Sequence, residues 1–181
     1  NQLKQRSVLD ADRLAKEFNM QQFHIRRLRE EDVPLLKTLL VELDTSHHDA
    51  EPDFYRSPEE MTQLREDRNI FDKYFDGSIT AFIACSHREV VGFISGTVRE
   101  VNSMLSPEKC VGYINELVVS ESHRNLGIGL SLMDKIESDL CSQGIEEIGL
   151  TVASFNHEGE DFYHKMGYRV ITKMMTKRVK D

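Results

Sequence analysis

A strand that passes through two closely spaced glycines into a helix constrains this chain most. The apolar run Tyr113–Val119 predicts the strand, and an aliphatic stripe from Ile128 to Leu140 predicts the helix. The turn between them, residues 124–129, has the sequence Arg-Asn-Leu-Gly-Ile-Gly. A helix N-terminus presents unpaired N–H groups and the positive end of its dipole. The glycines let an anion approach those groups and Arg124 adds a cation, so the turn predicts a diphosphate site.

Three kinds of diphosphate site begin with such a turn, and the sequence excludes two of them. A nucleotide P-loop needs Lys and then Ser or Thr after the second glycine, but Leu130 follows Gly129. A dinucleotide fold needs a small residue where Leu132 stands, and an acidic residue after the next strand, where residues 151–153 are Thr-Val-Ala. Only about fifty residues follow the turn, too few for the rest of such a fold. A coenzyme A site is the kind that remains.

The rest of the chain has the periodicities of an α/β protein. The predicted strands cover residues 23–28, 79–85, 90–98, 113–119, 148–152 and 168–179, and the predicted helices cover 32–43, 57–74, 127–143 and 158–166. Ser57 to Glu60 form a capping box, and a loop with Pro107 separates two strands. The order β-α-α-β-β-β-α-β-α-β predicts an α/β (α+β mixed) fold, a central mixed, mostly antiparallel sheet flanked by helices. Residues 1–20 are predicted to be a helical extension or arm, and residues 21–181 a single domain.

Charge and composition limit the kinds of partner. The net charge is −8 and no basic stripe occurs, which argues against nucleic acid. An acidic protein attracts a cationic small molecule or a basic peptide, although the same charge also serves solubility. No apolar stretch approaches the ~20 residues that span a bilayer, and we expect no signal leader and no membrane partner. The three cysteines form no CxxC pair, which favours free thiols and a cytoplasmic location.

The turn and the segments around it resemble the GNAT superfamily of N-acetyltransferases. Residues 124–129 match that family's signature of Arg or Gln, two residues, Gly, any residue, and Gly or Ala. The strand Ile114–Val119 precedes the turn as the family's fourth strand does, and Asn156 is followed by a Phe-Tyr-His-Lys-Met-Gly-Tyr segment at 162–168. The likeness covers residues 23–180. It implies acetyl-CoA as the co-substrate with no metal, direct transfer to an amine in a ternary complex, and leaves a homodimer open.

The resemblance also implies how acetyl-CoA is held. Backbone groups of Leu117, Val118 and Val119 pair with the pantetheine amides, as an added strand would. Asn156 hydrogen-bonds the pantetheine arm; capping the following helix is its alternative role, and the two roles are compatible. The diphosphate is implied to lie against residues of the turn and the first helical turn, which are Arg124, Asn125, Leu126, Gly127, Ile128, Gly129 and Leu130.

Glu116 is the candidate base. An amine of pKa ~10.4 is only about one part in 10³ neutral near pH 7, so acetyl transfer needs a proton acceptor. Strand alternation predicts that Glu116 shares a face with Ile114 and Val118, and an apolar setting would raise a carboxylate's proton affinity. We expect it to act through a water. Its alternative role is a structural bond to a neighbouring arginine or backbone group.

Tyr163 is the candidate acid for the departing thiolate. A phenol of pKa ~10 can protonate a thiolate whose conjugate acid lies near 8.5. Its alternative role is that of a core aromatic beside Phe162 and Tyr168. No cysteine lies in these motifs, so a covalent acetyl-enzyme is the less favoured route.

The acceptor pocket is expected near residues 47–51, His-His-Asp-Ala-Glu. Adjacent histidines in a loop seldom converge on one metal ion, so a solvated loop between the first two helices is the favoured interpretation. The resemblance implies that this segment borders the acceptor, with Phe54 or Tyr55 covering its carbon chain. The acidic residues expected to face a cationic substrate are Glu42, Asp44, Asp49, Glu51 and Asp53.

The acceptor itself is left open. A polyamine, an aminoglycoside-like amine, an amino acid and a protein N-terminus all remain possible substrates. The alternative function is a CoA-binding regulatory or partner-binding module that has kept the fold and lost turnover.

Overall fold

A five-stranded sheet organises the chain, whose residues 23–104, 106–177 and 179 are described by a computed structural model. The strands are β1 (His24–Arg27), β2 (Thr80–Ser86), β3 (Glu89–Ser103), β4 (Ser106–Val119) and β5 (Ile148–Leu150). The helices are α1 (Val33–Ala50), α2 (Pro58–Asp67), α3 (Ile70–Lys73), α4 (Ile128–Ser142) and α5 (His157–Lys165), with 3-10 turns at Glu30–Asp32 and Glu121–His123. Strands β1 to β4 pair antiparallel in chain order, and β5 pairs parallel with β4. This is the predicted mixed, mostly antiparallel α/β sheet.

The chain packs as two compact units. The first ends at Leu150 and contains every strand together with α1 to α4, and the second begins at Thr151 and contains α5. The predicted arm, residues 1–20, lies outside the described residues, and a single domain over 21–181 stays a prediction. Among the described helices, none combines the length and the apolar character that crossing a membrane requires.

Each face of the sheet in the first unit is covered by helices whose apolar stripe points inward. Leucines three and four positions apart on α1 form one side of the core, because that spacing places them on one helix face. The buried residues on this α1 face include Leu36, Leu39, Leu40, Tyr74, Ile83, Phe93 and Val118. The other face carries the stripe of α4, which buries Ile128, Leu132, Met133, Ile136 and Leu140. The predicted amphipathic stripe of α4 is therefore confirmed.

Two helix boundaries differ from the prediction. The capping box at Ser57 is confirmed: its Oγ accepts from the Glu60 N–H at 3.2 Å, and a Glu60 carboxylate oxygen accepts from the Ser57 N–H at 3.1 Å. The predicted helix over 57–74 is interrupted, because Asn69 adopts a left-handed conformation (φ 49°) between α2 and α3.

The predicted loop at His47 and His48 is wrong. Both lie in the last turn of α1, which no glycine or proline interrupts before Pro52.

Asp32, the first residue of the predicted helix 32–43, is the N-cap of α1, but its side chain makes no capping hydrogen bond. It accepts from both terminal nitrogens of Arg26, at 2.6 and 2.7 Å, and from the Arg29 N–H at 2.9 Å. The Arg26 guanidinium and the Arg29 N–H hold the pKa of this carboxyl below its usual value, although burial opposes the shift. Asp32 thus ties β1 to the start of α1.

The predicted loop around Pro107 is wrong, because β3 and β4 continue as a hairpin to the pair Ser103↔Ser106. The sequence of this ribbon is polar, so it lacks the apolar alternation that would predict a strand. Proline is tolerated in β4 because β5 pairs with it only from Gly112 onward, which leaves Pro107 on an edge.

The predicted last strand, residues 168–179, is also wrong. The described residues after Lys165 form no helix or strand. Several apolar side chains of this segment are exposed: Ile171 by 71%, Met174 by 78% and Met175 by 92%. β-Branched residues favour extended backbone, but a strand also needs a hydrogen-bonded neighbour, which the pattern cannot supply. For the same reason the predicted strand 148–152 ends at Leu150.

A glycine on β3 should set how closely α4 approaches the sheet. A Cβ at Gly92 would lie 2.9 Å from Ile128 Cγ2, 3.0 Å from Leu132 Cδ1 and 3.3 Å from Ala84 Cβ. We expect Gly92→Ala to lower the free energy of unfolding by about 1–3 kcal/mol through overpacking. Gly149→Ala is the matched control, because its nearest neighbour would be 3.8 Å away. Urea unfolding of both variants measures this, and an equal effect of the two would contradict it.

Candidate functional site

The glycine turn presents free backbone donors at the start of α4. Asn125 (φ 63°) and Gly127 (φ 78°) both adopt left-handed conformations, which turns the chain sharply into the helix. Gly127 is the N-cap and supplies no side-chain cap. The first helical hydrogen bond runs from the Ser131 N–H to the Gly127 carbonyl at 3.0 Å. The N–H groups of residues 128–130 therefore have no acceptor within the helix, which is the geometry that binds an anion.

Arg124 is anchored beside these donors. Its Nε donates to the carbonyl of Val119, the last residue of β4, at 3.3 Å. This bond holds the Nε side of the guanidinium at the end of β4. The predicted diphosphate residues are thus brought together: a cation and three N–H groups lie within one turn of chain.

The edge of β4 that faces β5 is paired over only a short stretch. The ladder between the two strands runs from Gly112↔Ile148 to Ile114↔Leu150. From Leu117 to Val119, β4 continues to pair with β3 on its other edge. Within the unit that ends at Leu150, these three residues have a second edge without a strand partner. An extended amide chain such as pantetheine needs an edge of this kind.

A β-bulge changes the direction of the candidate base. The register between β3 and β4 shifts here: Ser95 pairs with Glu116 while the next residue, Gly96, pairs with Ile114. Asn115 is therefore the extra residue on β4. A Cβ at Gly96 would meet both Ile136 of α4 and Ile114, which puts Ile114 on the α4 face. Glu116 instead contacts residues of the α1 face. The predicted common face of Glu116 and Ile114 is therefore wrong, because one extra residue breaks the alternation, whereas Val118 does share the α1 face with Glu116.

Both carboxylate oxygens of Glu116 accept hydrogen bonds. Oε2 accepts from Ser95 Oγ at 2.8 Å and from the Tyr74 hydroxyl at 3.1 Å. Oε1 lies 3.3 Å from a terminal nitrogen of Arg65. Burial, and then the charge of Glu116, raises the pKa of Tyr74, so this phenol stays protonated and donates. The Glu116 side chain keeps 19% exposure, so solvent or a ligand can still reach it.

Arg65 joins Glu116 to a second carboxylate. Its terminal nitrogens lie 2.5 and 3.0 Å from the two oxygens of Asp44, in a bidentate pair whose side chains are 7% and 6% exposed. Burial opposes the charge, but the bonds from Asp44 and Glu116 raise the pKa of the guanidinium above its ordinary value. The predicted role of Asp44 toward a cationic substrate is wrong, because Arg65 occupies it. Sequence reasoning missed Arg65 and Tyr74, since nothing local links residues so far apart in the chain.

The predicted acceptor residues lie just past the end of α1. Phe54 is 55% exposed, and its ring packs edge-on against Tyr55 at 5.0 Å. Tyr55 packs in the same way against His47 at 4.9 Å, and its carbonyl accepts from His48 Nδ1 at 3.0 Å. Glu51 is exposed and ends the helix. A role for Glu51, Phe54 and Tyr55 in binding the acceptor stays a prediction.

The second unit contains the other two predicted residues. Asn156 caps α5, and its Oδ1 accepts from the Gly159 N–H at 2.9 Å, which is the alternative role considered for it. Tyr163 packs edge-on against Phe162 at 5.3 Å and Tyr168 at 5.9 Å. Burial raises the pKa of Tyr163, so its hydroxyl keeps its proton at neutral pH. The roles of Asn156 and Tyr163 toward a ligand stay predictions.

Comparison with known proteins gives a family match and a consistent set of folds. A sequence model described as the acetyltransferase (GNAT) family matches residues 43–168. No curated protein matches significantly.

Among solved structures, a mutant of the BH1408 protein from Bacillus halodurans is similar with a TM-score of 0.74 and 20% identity, covering 87% of this chain and 99% of that chain. A GCN5-related N-acetyltransferase from Ralstonia eutropha JMP134 is similar with a TM-score of 0.66 and 22% identity, with coverage of 87% and 99%. The aminoglycoside antibiotic 6'-N-acetyltransferase AAC(6')-IG from Acinetobacter haemolyticus is similar with a TM-score of 0.62 and 14% identity, covering 87% of this chain and 99% of that chain. At these identities the likeness shows the fold.

The buried pair of Asp44 and Arg65 should matter far more to stability than an exposed pair. Asp44→Ala leaves the guanidinium buried with only its 3.3 Å contact to Glu116, so we expect a loss of about 3–5 kcal/mol in urea unfolding. The control is Lys37→Ala, which removes an exposed pair with Glu66 and should cost at most ~1 kcal/mol. Combining Asp44→Leu with Arg65→Met should restore most of the stability. Similar losses for Asp44→Ala and Lys37→Ala would contradict this account.

Proposed function

The chain belongs to the GNAT acetyltransferase family, and from that premise we propose that it transfers the acetyl group of acetyl-CoA to a primary amine. One observation supports the proposal: an edge of β4 that has no strand partner within the unit ending at Leu150 connects the glycine turn to the carboxylate of Glu116. In this proposal the diphosphate binds at residues 124–130 and the pantetheine pairs along Leu117–Val119. The thioester then lies beside Glu116.

The reaction forms one bond and breaks another. The neutral amine nitrogen attacks the thioester carbonyl carbon, and an N–H on the free edge of β4 donates to the oxygen as it gains charge. The carbon–sulfur bond then breaks, so that the amide and the CoA thiolate separate. The proton lost by the amine passes through water to Glu116, whose partly exposed carboxylate retains room for that contact.

Tyr163 is proposed to return a proton to the thiolate. Burial raises the pKa of this phenol, which keeps it in the donor form throughout the neutral range. Asn156 is proposed to bond the pantetheine arm with its amide nitrogen, because its oxygen already caps α5. Neither role requires a metal or a covalent acetyl-enzyme. A cytoplasmic location and a homodimer stay predictions.

Acceptors among the similar structures include aminoglycosides, by the name of the Acinetobacter haemolyticus enzyme. We propose an amine acceptor for this chain as well, entering on the α1 face near Glu116 and bordered by Glu51, Phe54 and Tyr55. Exposed carboxylates there favour a protonated amine on approach.

A panel of amines with acetyl-CoA tests the function. We expect CoA thiol release that depends on at least one amine and yields the acetylated amine by mass spectrometry. Acetyl-CoA binding by calorimetry, with no amine-dependent release across the panel, would instead support a CoA-binding module without turnover. Failure to bind CoA at all would contradict both functions.

The carboxylate and the phenol give separate expectations. Glu116→Gln keeps the shape and removes the base, so kcat should fall about 10²-fold or more with little change in the KM for acetyl-CoA.

Tyr163→Phe removes only a hydroxyl, and kcat should fall by a similar factor. Tyr168→Phe is its control, because it is a ring neighbour at 5.9 Å that the mechanism does not use. A Tyr163→Phe enzyme as fast as the wild type would remove the acid assignment.

A further inference from the structure

We propose that Arg99 binds a carboxylate of the acceptor, which makes the substrate an amine that carries an acidic group a few bonds away. This inference rests on the proposed function and names the substrate class of the same site. It comes from a cluster on the α1 face of the first unit, on the part of β3 and β4 around Thr97, Arg99 and Tyr113.

The guanidinium of Arg99 is held in one orientation. Its carbon lies 3.6 Å from the centre of the Tyr113 ring, in a stacked cation–π contact. One terminal nitrogen donates to Asn115 Oδ1 at 2.8 Å, and Nε donates to Thr97 Oγ1 at 3.3 Å. A surface arginine ordinarily moves through many rotamers, so three contacts from two strands prepare this one for a ligand.

The same contacts leave donors available. A guanidinium has five N–H groups, and the bonds to Thr97 and Asn115 use two of them. The outer edge, with one N–H from each terminal nitrogen, matches the two oxygens of a carboxylate. Within the described residues, no carboxylate forms an ion pair with Arg99, which is exposed. Among the described residues its hydrogen-bond partners are neutral, so a carboxylate of a ligand could match its charge.

Arg99 lies close to the proposed reaction centre. The bulge brings the adjacent residues Asn115 and Glu116 to the same face. Their side chains accept hydrogen bonds from Thr97 and Ser95, which are two positions apart on β3 and therefore lie on one side of it. Arg99 donates to Asn115, and the candidate base Glu116 is the next residue, with adjacent Cα atoms about 3.8 Å apart. An acceptor can then place its amine at Glu116 and its carboxylate at Arg99.

In the proposed arrangement, the diphosphate of CoA is not the anion at Arg99. The Arg99 guanidinium donates to Asn115, four residues before Val119, where the turn to Arg124 begins. At 3.3–3.4 Å per residue, that is about 13 Å along the strand. The two arginines therefore serve opposite ends of the site, and the anion near Arg99 belongs to the acceptor.

The charge of the protein makes the arrangement selective. A net charge of −8 attracts amines of every kind, and a polyamine would need no arginine. A guanidinium beside the base repels a second ammonium and attracts a carboxylate, so the pair favours amino-acid-type acceptors over polycations.

Matched acceptors test the proposal. Straight-chain ω-amino acids, alkylamines and diamines of equal length are compared as substrates by CoA thiol release. We expect wild type to prefer the amino acids in kcat/KM by about tenfold. Arg99→Gln should lose that preference through KM, with unchanged kinetics toward alkylamines and acetyl-CoA. Arg99→Glu should reverse it in favour of diamines, which a merely structural arginine would not do.

Arg88→Gln is the control, an exposed arginine in the turn between β2 and β3, and it should behave as wild type. Equal use of amino acids and alkylamines by wild type, or a preference unaltered by Arg99→Gln, overturns the carboxylate site and leaves the acetyltransferase standing. Acetyl-CoA binding without acetylation of any amine overturns both proposals together.

Discussion

The buried guanidinium of Arg65 is the constraint on which the candidate site depends. It comes from α2, is neutralised by Asp44 of α1, and contacts Glu116 of β4, so one side chain joins two helices to the sheet. A charge this deeply buried is costly unless both its geometry and its partners are favourable. The bidentate pair with Asp44 meets that condition. The remaining contact then fixes the carboxylate of Glu116, together with Ser95 and Tyr74. Stability and the shape of the site are consequently coupled.

The bulge at Asn115 determines what the fixed carboxylate can reach. Without the extra residue, Glu116 would follow Ile114 onto the α4 face and lie among the apolar side chains of that helix. With it, Asn115 and Glu116 both lie on the α1 face, next to the half-buried Thr97 and Tyr113 and the exposed Arg99. Bulges commonly redirect side chains at functional sites, and here the redirection brings a carboxylate and a guanidinium to one surface.

Prediction from sequence succeeded where local chemistry decides structure. The glycine turn between β4 and α4 depends on a few consecutive residues, and its role in binding a diphosphate stays a prediction. The capping box at Ser57 and the stripe of α4 are equally local. Prediction failed for the polar hairpin around Pro107, which was predicted to be a loop. Its strands are formed by pairing between β3 and β4, and its sequence shows no apolar alternation. It failed again for residues 168–179, whose β-branched residues favour extension but supply no hydrogen-bonded neighbour.

The sequence by itself determined the family, the order of the elements up to α5, and the identity of the groups at the turn. Those properties follow from period, composition and motif, each of which spans a short stretch of chain. Only the tertiary structure decided which residues surround Glu116. Asp44, Arg65, Tyr74 and Ser95 lie between 21 and 72 positions before it, and no pattern in the chain links them. Contacts over such separations arise because the helices pack on the sheet and because β4 contains one extra residue. The periodicity of the sequence predicts neither.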